Sequence, residues 1–338
     1  MTDPICVFVL TQSPVPDPLL QNLRAVSPRL AIEHRTAKTI EELGDVWADV
    51  EVLYTTGLLP PPKQAPRLRW VQGHFAGVDH VIGHPLIARV ILTTTSGIHT
   101  VNMGEYVVMM MMAFTHRLPR LLEYQARAEW PNDRWNLFVP RELRDLTVGL
   151  VGYGSLGREV ARLARTFGMR VLAAKRNPAN RADDGWRLPG VGDAGGVQVD
   201  RVYAHTDLRT MLPECDFVVL VTPLTPETRG LIGAEELRLM KREAVLINVS
   251  RGDVVDEAAL IEALQSHTIG GAALDVFHQE PLPPDSPLWR MPNAILSPHI
   301  SGFTPHYDQR AMELFAENLR RYVNGERLLN VVNPDAGF

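Results

Sequence analysis

Residues 148–171 read VGLVGYGSLGREVARLARTFGMRV, and the order of features within them decides the fold. An apolar strand-like run, LTVGLV (146–151), enters a glycine turn. SLGREVARLARTFG then takes up the helical period, and MRVLAAK begins a second strand. Gly152, Gly154 and Gly157 fit the G-x-G-x-x-G spacing, which is weak as a bare hexapeptide. Between a strand and a helix it becomes the fingerprint of a dinucleotide-binding turn. Glycines permit the tight turn and close backbone approach, and the helix N-terminus offers free N–H groups and a positive dipole to a pyrophosphate. The turn residues Gly152, Tyr153, Gly154, Ser155, Leu156 and Gly157 are therefore candidate cofactor contacts.

Outward from this stretch, DFVVLVT (216–222), AVLINVS (244–250), GGAALDV (270–276) and AILS (294–297) continue the strand and helix alternation of a doubly wound sheet. Upstream, ICVFVL, EVLYTTG, RWVQGHF and VILTTTS give a second alternation in the first hundred residues. A chain of 338 residues exceeds what one hydrophobic core usually reaches, so two domains are expected. Residues 101–127 predict a long helix bent near Pro119, and 180–203, rich in Gly, Asp and Arg, predict a surface excursion.

Composition excludes several classes. Against 39 Asp and Glu stand 34 Lys and Arg, and no block of like charge suggests a nucleic-acid arm. The longest apolar run, VVMMMMAF, falls far short of the ~20 residues a membrane span needs. Met109 to Met112 point around a helix and read as core packing rather than a thioether site. No His, Cys, Asp or Glu group has metal-ligand spacing, so no metal is expected. Cys6 and Cys215 lie in or beside apolar runs as buried thiols, and MTDPICVFVL lacks the features of a secretory leader; a cytoplasmic protein is expected.

The end of the second strand bears on cofactor choice. An NAD site of this kind carries a carboxylate there for the ribose hydroxyls, but this chain has Lys175 and Arg176. Two cations suit a 2′-phosphate, which favours NADP. The alternative is that both are solvated loop charges, leaving NAD open.

Three further segments place a polar residue just after a strand: LINVSRGDVVDE (246–257), ALDVFHQEPLP (273–283) and ILSPHISG (295–302). Arg251, Glu280 and His299 thus gather at the carboxyl edge, where open α/β sheets bind ligands. Arg251 holds a carboxylate and polarises a carbonyl. Glu280 orients His299 and stabilises its imidazolium form, and His299 donates a proton as hydride arrives at carbon. Alone, a histidine ending a strand is more often structural.

With these motifs, together with PLTPETRGLIG and WVQGHFAGVDHV, the chain resembles the D-isomer-specific 2-hydroxyacid dehydrogenase family over nearly its whole length. The resemblance implies an α/β fold of two Rossmann-like domains with doubly wound parallel sheets: a flavodoxin-like substrate-binding domain (1–102 and 304–338) and a dinucleotide-binding domain (103–303). It implies that Arg251 binds a 2-oxo acid, that Glu280 pairs with His299, and that the backbone of Ala76, Gly77 and Val78, beside Phe75, cradles the substrate carboxylate. Thr222, Pro223, Thr228, Val249, Ser250, Asp275 and Gly302 are placed along the cofactor with Arg251 and His299. Homodimers are usual in the family, and its glyoxylate/hydroxypyruvate reductases, which often share AGVDH and a basic residue after the second strand, are the nearest functional match. The substrate is then a 2-oxo acid of the glyoxylate, hydroxypyruvate or pyruvate class. A non-enzymatic NAD(P)-sensing corepressor, which shares fold and triad, is the rival. Ser301, where many members carry glycine, and the long 180–203 connection depart from the family pattern.

Other residues admit bland readings. His278 reads as a loop neighbour of Glu280, and His74 and Phe75 either shape a pocket or finish a strand. His99, Asn102 and Met103 either face the cleft or, for Asn102, cap a helix.

Overall fold

The computed structural model describes residues 3–334, 336 and 337. The chain divides into unit 1 (Met1–Ile98, Asp184–Leu188 and Thr304–Phe338) and unit 2 (His99–Asp183 and Pro189–Phe303). Unit 1 begins with β1 (Ile5–Thr11), α1 (Asp17–Ala25), β2 (Leu30–Thr36), β3 (Val52–Thr55), β4 (Trp70–Gly73) and β5 (Ile91–Thr93). Unit 2 opens with three helices, α2 (Thr100–Thr115), α3 (Leu118–Ala126) and α4 (Arg134–Leu137). Then follow β6 (Thr147–Val151), α5 (Ser155–Thr166), β7 (Arg170–Lys175), β8 (Arg201–Ala204), α6 (Leu208–Met211) and β9 (Phe217–Leu220). It ends with α7 (Ala234–Leu239), β10 (Val245–Asn248), α8 (Glu257–Gln265), β11 (Gly271–Leu274) and β12 (Ala294–Leu296), after which α9 (Tyr307–Asn324) belongs to unit 1.

Both sheets are parallel throughout. Unit 1 has the strand order β2-β1-β3-β4-β5, the flavodoxin-like arrangement, and unit 2 has β12-β11-β10-β9-β6-β7-β8. The latter is the doubly wound dinucleotide-binding order with one more strand at the end. Its direction reverses between β6 and β9, which makes the crevice beyond these two strands a switch point. Every residue of TVGLV, FVVL, VLIN and GAAL is buried, as expected of central parallel strands covered by helices on both faces. In unit 1, Phe315 on α9 is fully buried against Tyr54 and Trp70, with ring centroids 5.0 and 5.5 Å away.

The structure corrects three sequence expectations. The helix predicted across 101–127 is two helices, broken at Arg117, whose φ is 53°. Pro119 lies in the first turn of α3, where a missing N–H costs nothing, so the proline starts a helix rather than bending one. The stretch 180–203 is not simply a surface excursion. Arg201–Ala204 form edge strand β8, and Asp184–Leu188 fall in unit 1, where Trp186 packs with Ile98, Ala311 and Leu314. Residues 99–102 group with unit 2, because α2 starts at Thr100.

The rest of the excursion is tied to α5. Arg158, 2% exposed, donates to the carbonyls of Asp193 (2.5 Å), Arg181 (2.8 Å) and Ala182 (3.1 Å), while Glu159 accepts the Gly192 N–H at 2.7 Å. Asp193 closes its own turn by accepting the N–H groups of Val197 and Gln198. Arg158→Ala leaves three carbonyls without this donor, each such bond being worth about 1.5–3 kcal/mol. Limited proteolysis is expected to cut the variant within 180–200 well before the wild type; equal resistance contradicts the anchoring role.

Candidate active site

The turn after β6 is shaped by close approach. Gly152 has φ 106°, and a Cβ on it would lie 2.7 Å from the Val221 carbonyl oxygen; one on Gly157 would lie 2.5 Å from that of Gly152. A side chain at either position forces the strand-to-helix turn apart. At Gly154 nothing lies within 4 Å of the corresponding point, and no side chain caps α5 there. The first turn of α5 therefore carries no capping side chain at its Gly154 end, and helix N-termini of this kind are suited to meeting a phosphate. Ser155 and Leu156 begin that helix. Tyr153 offers only its backbone, since its hydroxyl donates to Asp193 at 2.5 Å and its ring lies 4.6 Å from the Arg158 guanidinium.

The cations at the end of β7 differ in role. Lys175 turns inward to donate to the Asn180 carbonyl at 2.7 Å, and burial together with Arg158 lowers its pKa. Arg176 pairs with Glu227 at 2.8 Å, on the loop following β9. In that loop the Thr228 hydroxyl donates to the Pro223 carbonyl (2.7 Å) and accepts the Thr225 N–H (2.8 Å), so it closes the turn that displays Thr222 and Pro223.

Beyond β10, β11 and β12 each polar loop is held by a buried side chain. After β10, Asn248 accepts the N–H and hydroxyl of Ser250 (3.0 and 2.8 Å) and donates to the Arg251 carbonyl (2.9 Å), which fixes the turn from Val249 to Arg251. The Arg251 guanidinium donates to the Ser250 carbonyl at 2.8 Å. After β11, Asp275, 1% exposed, uses its carboxylate on the next loop: it accepts the Ser297 hydroxyl (2.5 Å) and the N–H groups of Ile300 and Ser301 (both 2.9 Å). Two residues of α2 hold the same loop. Asn102 donates to the carbonyls of Ser301 (2.6 Å) and Phe303 (3.2 Å), and the Tyr106 hydroxyl meets Ser297 at 2.7 Å. Asn102 is thus a clasp on this loop and not a helix cap.

That clasp presents His299, a left-handed residue with φ 54°. Its Nδ1 lies 2.7 Å from Glu280 Oε2, and Glu280 Oε1 accepts the Phe277 N–H at 3.0 Å, which fixes the carboxylate against both partners. Nε2 is left as the other ring nitrogen. His299 is half exposed, and Gly302 follows it with Met103 Sδ 4.0 Å from where a Cβ would stand. Burial, with a contribution from Arg251, lowers the His99 pKa to about 4, so this imidazole is neutral beside the guanidinium. His278 is 70% exposed and pairs with Asp253 at 2.6 Å, away from Glu280. Sequence reasoning did not single out Asn248, Tyr106 or Ser297. The available signal was a polar residue closing an apolar strand run, as in LIN and AILS.

In unit 1 the segment after β4 leaves backbone donors open. Among the described residues no acceptor meets the N–H groups of Ala76, Gly77 or Val78, which lie outside any helix or strand. Phe75 beside them is 43% exposed. His74 finishes the strand: Nδ1 contacts the Tyr54 hydroxyl at 2.6 Å, and its carbonyl accepts the hydroxyls of Thr95 and Tyr307. Among the described residues no group of three or more His, Cys, Asp or Glu side chains is arranged to hold a metal ion.

Comparison with known proteins places this geometry. The profile of the D-isomer specific 2-hydroxyacid dehydrogenase NAD-binding domain matches residues 108–301. A glyoxylate reductase of Korarchaeum cryptofilum is 37% identical over 276 residues, 81% of this chain and 78% of that protein. A D-isomer specific 2-hydroxyacid dehydrogenase of Xanthobacter autotrophicus, solved with NADPH and MES, superposes with a TM-score of 0.81 at 31% identity, covering 100% of both chains. An NADPH-dependent glyoxylate/hydroxypyruvate reductase of Sinorhizobium meliloti, solved with NADP and sulfate, gives 0.80 at 28%, covering 99% of this chain and 100% of that one.

Asp275→Asn keeps the size of the side chain but replaces one acceptor oxygen with a donor that faces an N–H or hydroxyl. Residues 297–302 are expected to lose amide-exchange protection, with about 1–3 kcal/mol of local stability lost. Unchanged protection there contradicts the assignment of Asp275 as the holder of the His299 loop.

Proposed function

Because the chain belongs to the D-isomer specific 2-hydroxyacid dehydrogenases, we propose that it reduces a small 2-oxo acid of the glyoxylate, hydroxypyruvate or pyruvate class to the D-2-hydroxy acid, with NADPH preferred to NADH. The observation that carries this reading is the 2.7 Å contact between His299 Nδ1 and Glu280, which fixes the imidazole beyond β12 and leaves Nε2 to move a proton.

Unit 2 is the cofactor domain in this reading. The turn Gly152–Gly157 and the first N–H groups of α5 hold the pyrophosphate, and the open side at Gly154 leaves space for it. When bound, the reduced nicotinamide supplies the hydride. Glu280 accepts the His299 Nδ1–H and stabilises the ring while it is doubly protonated. Nε2–H donates to the carbonyl oxygen as negative charge develops there. The Arg251 guanidinium, aimed by the Asn248 turn, stabilises the same charge and binds the carboxylate. In unit 1, the N–H groups of Ala76, Gly77 and Val78 receive a carboxylate.

Substrate class follows the glyoxylate and hydroxypyruvate reductases among the relatives. For the cofactor, no carboxylate ends β7, and Arg176 is the cation able to leave Glu227 for a 2′-phosphate; the Xanthobacter and Sinorhizobium structures hold NADPH and NADP. A homodimer fits the apolar surface of the α2–α4 region, where Trp130 and Trp135 are 82% and 73% exposed and Leu122 is 54% exposed. Two free thiols, Cys6 and Cys215, suit a cytoplasmic enzyme. No helix among the described residues is long and apolar enough to cross a membrane.

Loss of the general acid or the electrophile is expected to lower kcat/KM for glyoxylate by about 10²–10⁴ in His299→Ala and Arg251→Ala, with NADPH more efficient than NADH in the wild type. Near-normal turnover in either variant overturns the catalytic assignment, and a strong NADH preference overturns the cofactor assignment. Sedimentation is expected to give a dimer for the wild type and a monomer for a folded Leu122→Asp/Trp135→Asp double variant; a dimer in both rejects the α2–α4 surface as the interface.

A further inference from the structure

The sheet of unit 2 has a second concave site, at the opposite edge from His299. A cavity of about 610 Å³ has Phe114, Phe217, Val245 and Ile269 among its walls. Phe217 and Val245 are the first residues of β9 and β10, so the cavity belongs to the edge where strands begin. Gly152, Arg251, Asp275 and His299 follow strand ends. Nothing in the proposed reaction uses this place.

Its polar lining is rich in arginine. Arg117, Arg141, Arg242 and His267 are set there with Asp216 and Glu243. The Asp216 carboxylate is already consumed: one oxygen accepts Arg141 at 2.6 Å, the other accepts Lys241 at 3.0 Å and the Thr147 N–H at 2.9 Å. Arg141 also reaches Glu243, 3.4 Å away and 78% exposed. Among the described residues no hydrogen bond or ion pair engages the Arg117 or Arg242 side chain. Three arginines of this lining therefore meet two carboxylates, one of which also takes Lys241 from outside it, on a chain whose net charge is −5. Backbone conformation singles out the same cavity. Of five described non-glycine residues with positive φ, Arg117 and His267, both at 53°, are in its wall; His299 is another of the five. Left-handed non-glycine residues concentrate at functional sites.

We propose that this cavity binds a small organic dianion with an apolar body, of the dicarboxylate or phosphate monoester class. Arg117 and Arg242 each hold one anionic group, for which a planar guanidinium is the matching fork. The body lies over Phe114, the partly exposed ring of the wall, which inorganic phosphate leaves uncovered. The assignment does not depend on the proposed reaction.

The test is calorimetric titration of the full chain with phthalate at low ionic strength, after the cofactor and substrate sites have been saturated with NADP and the monocarboxylate oxamate. Saturable binding is expected, tighter than that of inorganic phosphate. Arg242→Ala and Arg117→Ala are each expected to weaken it at least about tenfold, as loss of a charge-assisted pair implies, while melting temperature and turnover without phthalate stay unchanged. Should Arg117→Ala disturb its left-handed turn, Arg117→Lys keeps charge but loses the fork and is expected to weaken binding as well. Absence of saturable binding, binding untouched by loss of Arg242, or loss of binding on saturation with NADP and oxamate each overturns the proposal. Equal affinity for phosphate and phthalate overturns the role of the apolar wall.

Discussion

In a sheet whose seven strands all run the same way, every strand leaves at one edge and every strand enters at the other. The glycine turn, the Arg251 turn, Asp275 and the His299 loop are separated by up to 150 residues of chain, yet all four follow strand ends. Parallel pairing brings them to one edge before any side chain is chosen. The reversal of strand order between β6 and β9 then opens a crevice where the Gly152 turn meets the Val221 carbonyl. Placement at the other edge follows from the same constraint, which is why the arginine-rich cavity shares β9 and β10 with the reactive side but none of its loops.

A loop beyond a strand is held only if its backbone groups find partners, and here buried side chains supply them. Asn248 bridges Ser250 and Arg251, and Asp275 takes one hydroxyl and two N–H groups of the 297–301 segment. Three donors to a buried carboxylate replace the hydrogen bonds it gives up on leaving water. The same device recurs at Arg158, whose guanidinium satisfies three carbonyls of the 181–193 segment. These residues do not react. They decide where the reactive ones stand.

Much of this was readable along the chain, for physical reasons. Central strands such as FVVL and VLIN are buried on both faces and need apolar residues throughout, so they stand out as runs. The two strands that sequence reading passed over, LAIEHRT (β2) and RVYA (β8), are both edges of their sheets. Only part of an edge strand is covered, so Glu33, His34 and Arg35 are compatible with pairing, and no apolar run marks the element. Pro119 misled for a similar reason: a proline breaks a helix interior but suits a first turn, and the left-handed Arg117 that ends α2 has no signature of its own.

Sequence by itself determined the two α/β sheets, the glycine turn at Gly152–Gly157, and the arginine, glutamate and histidine that follow strands, because strand period, helix period and glycine spacing are local properties of consecutive residues. Tertiary structure decided which distant residues serve them. That Asn102 and Tyr106 of α2 clasp the His299 loop, that Lys175 turns inward while Arg176 meets Glu227, and that the 184–188 segment joins unit 1 around Trp186 all depend on hydrogen bonds and packing between segments far apart in sequence. Such partners are chosen by distance in space, which no local pattern of residues encodes.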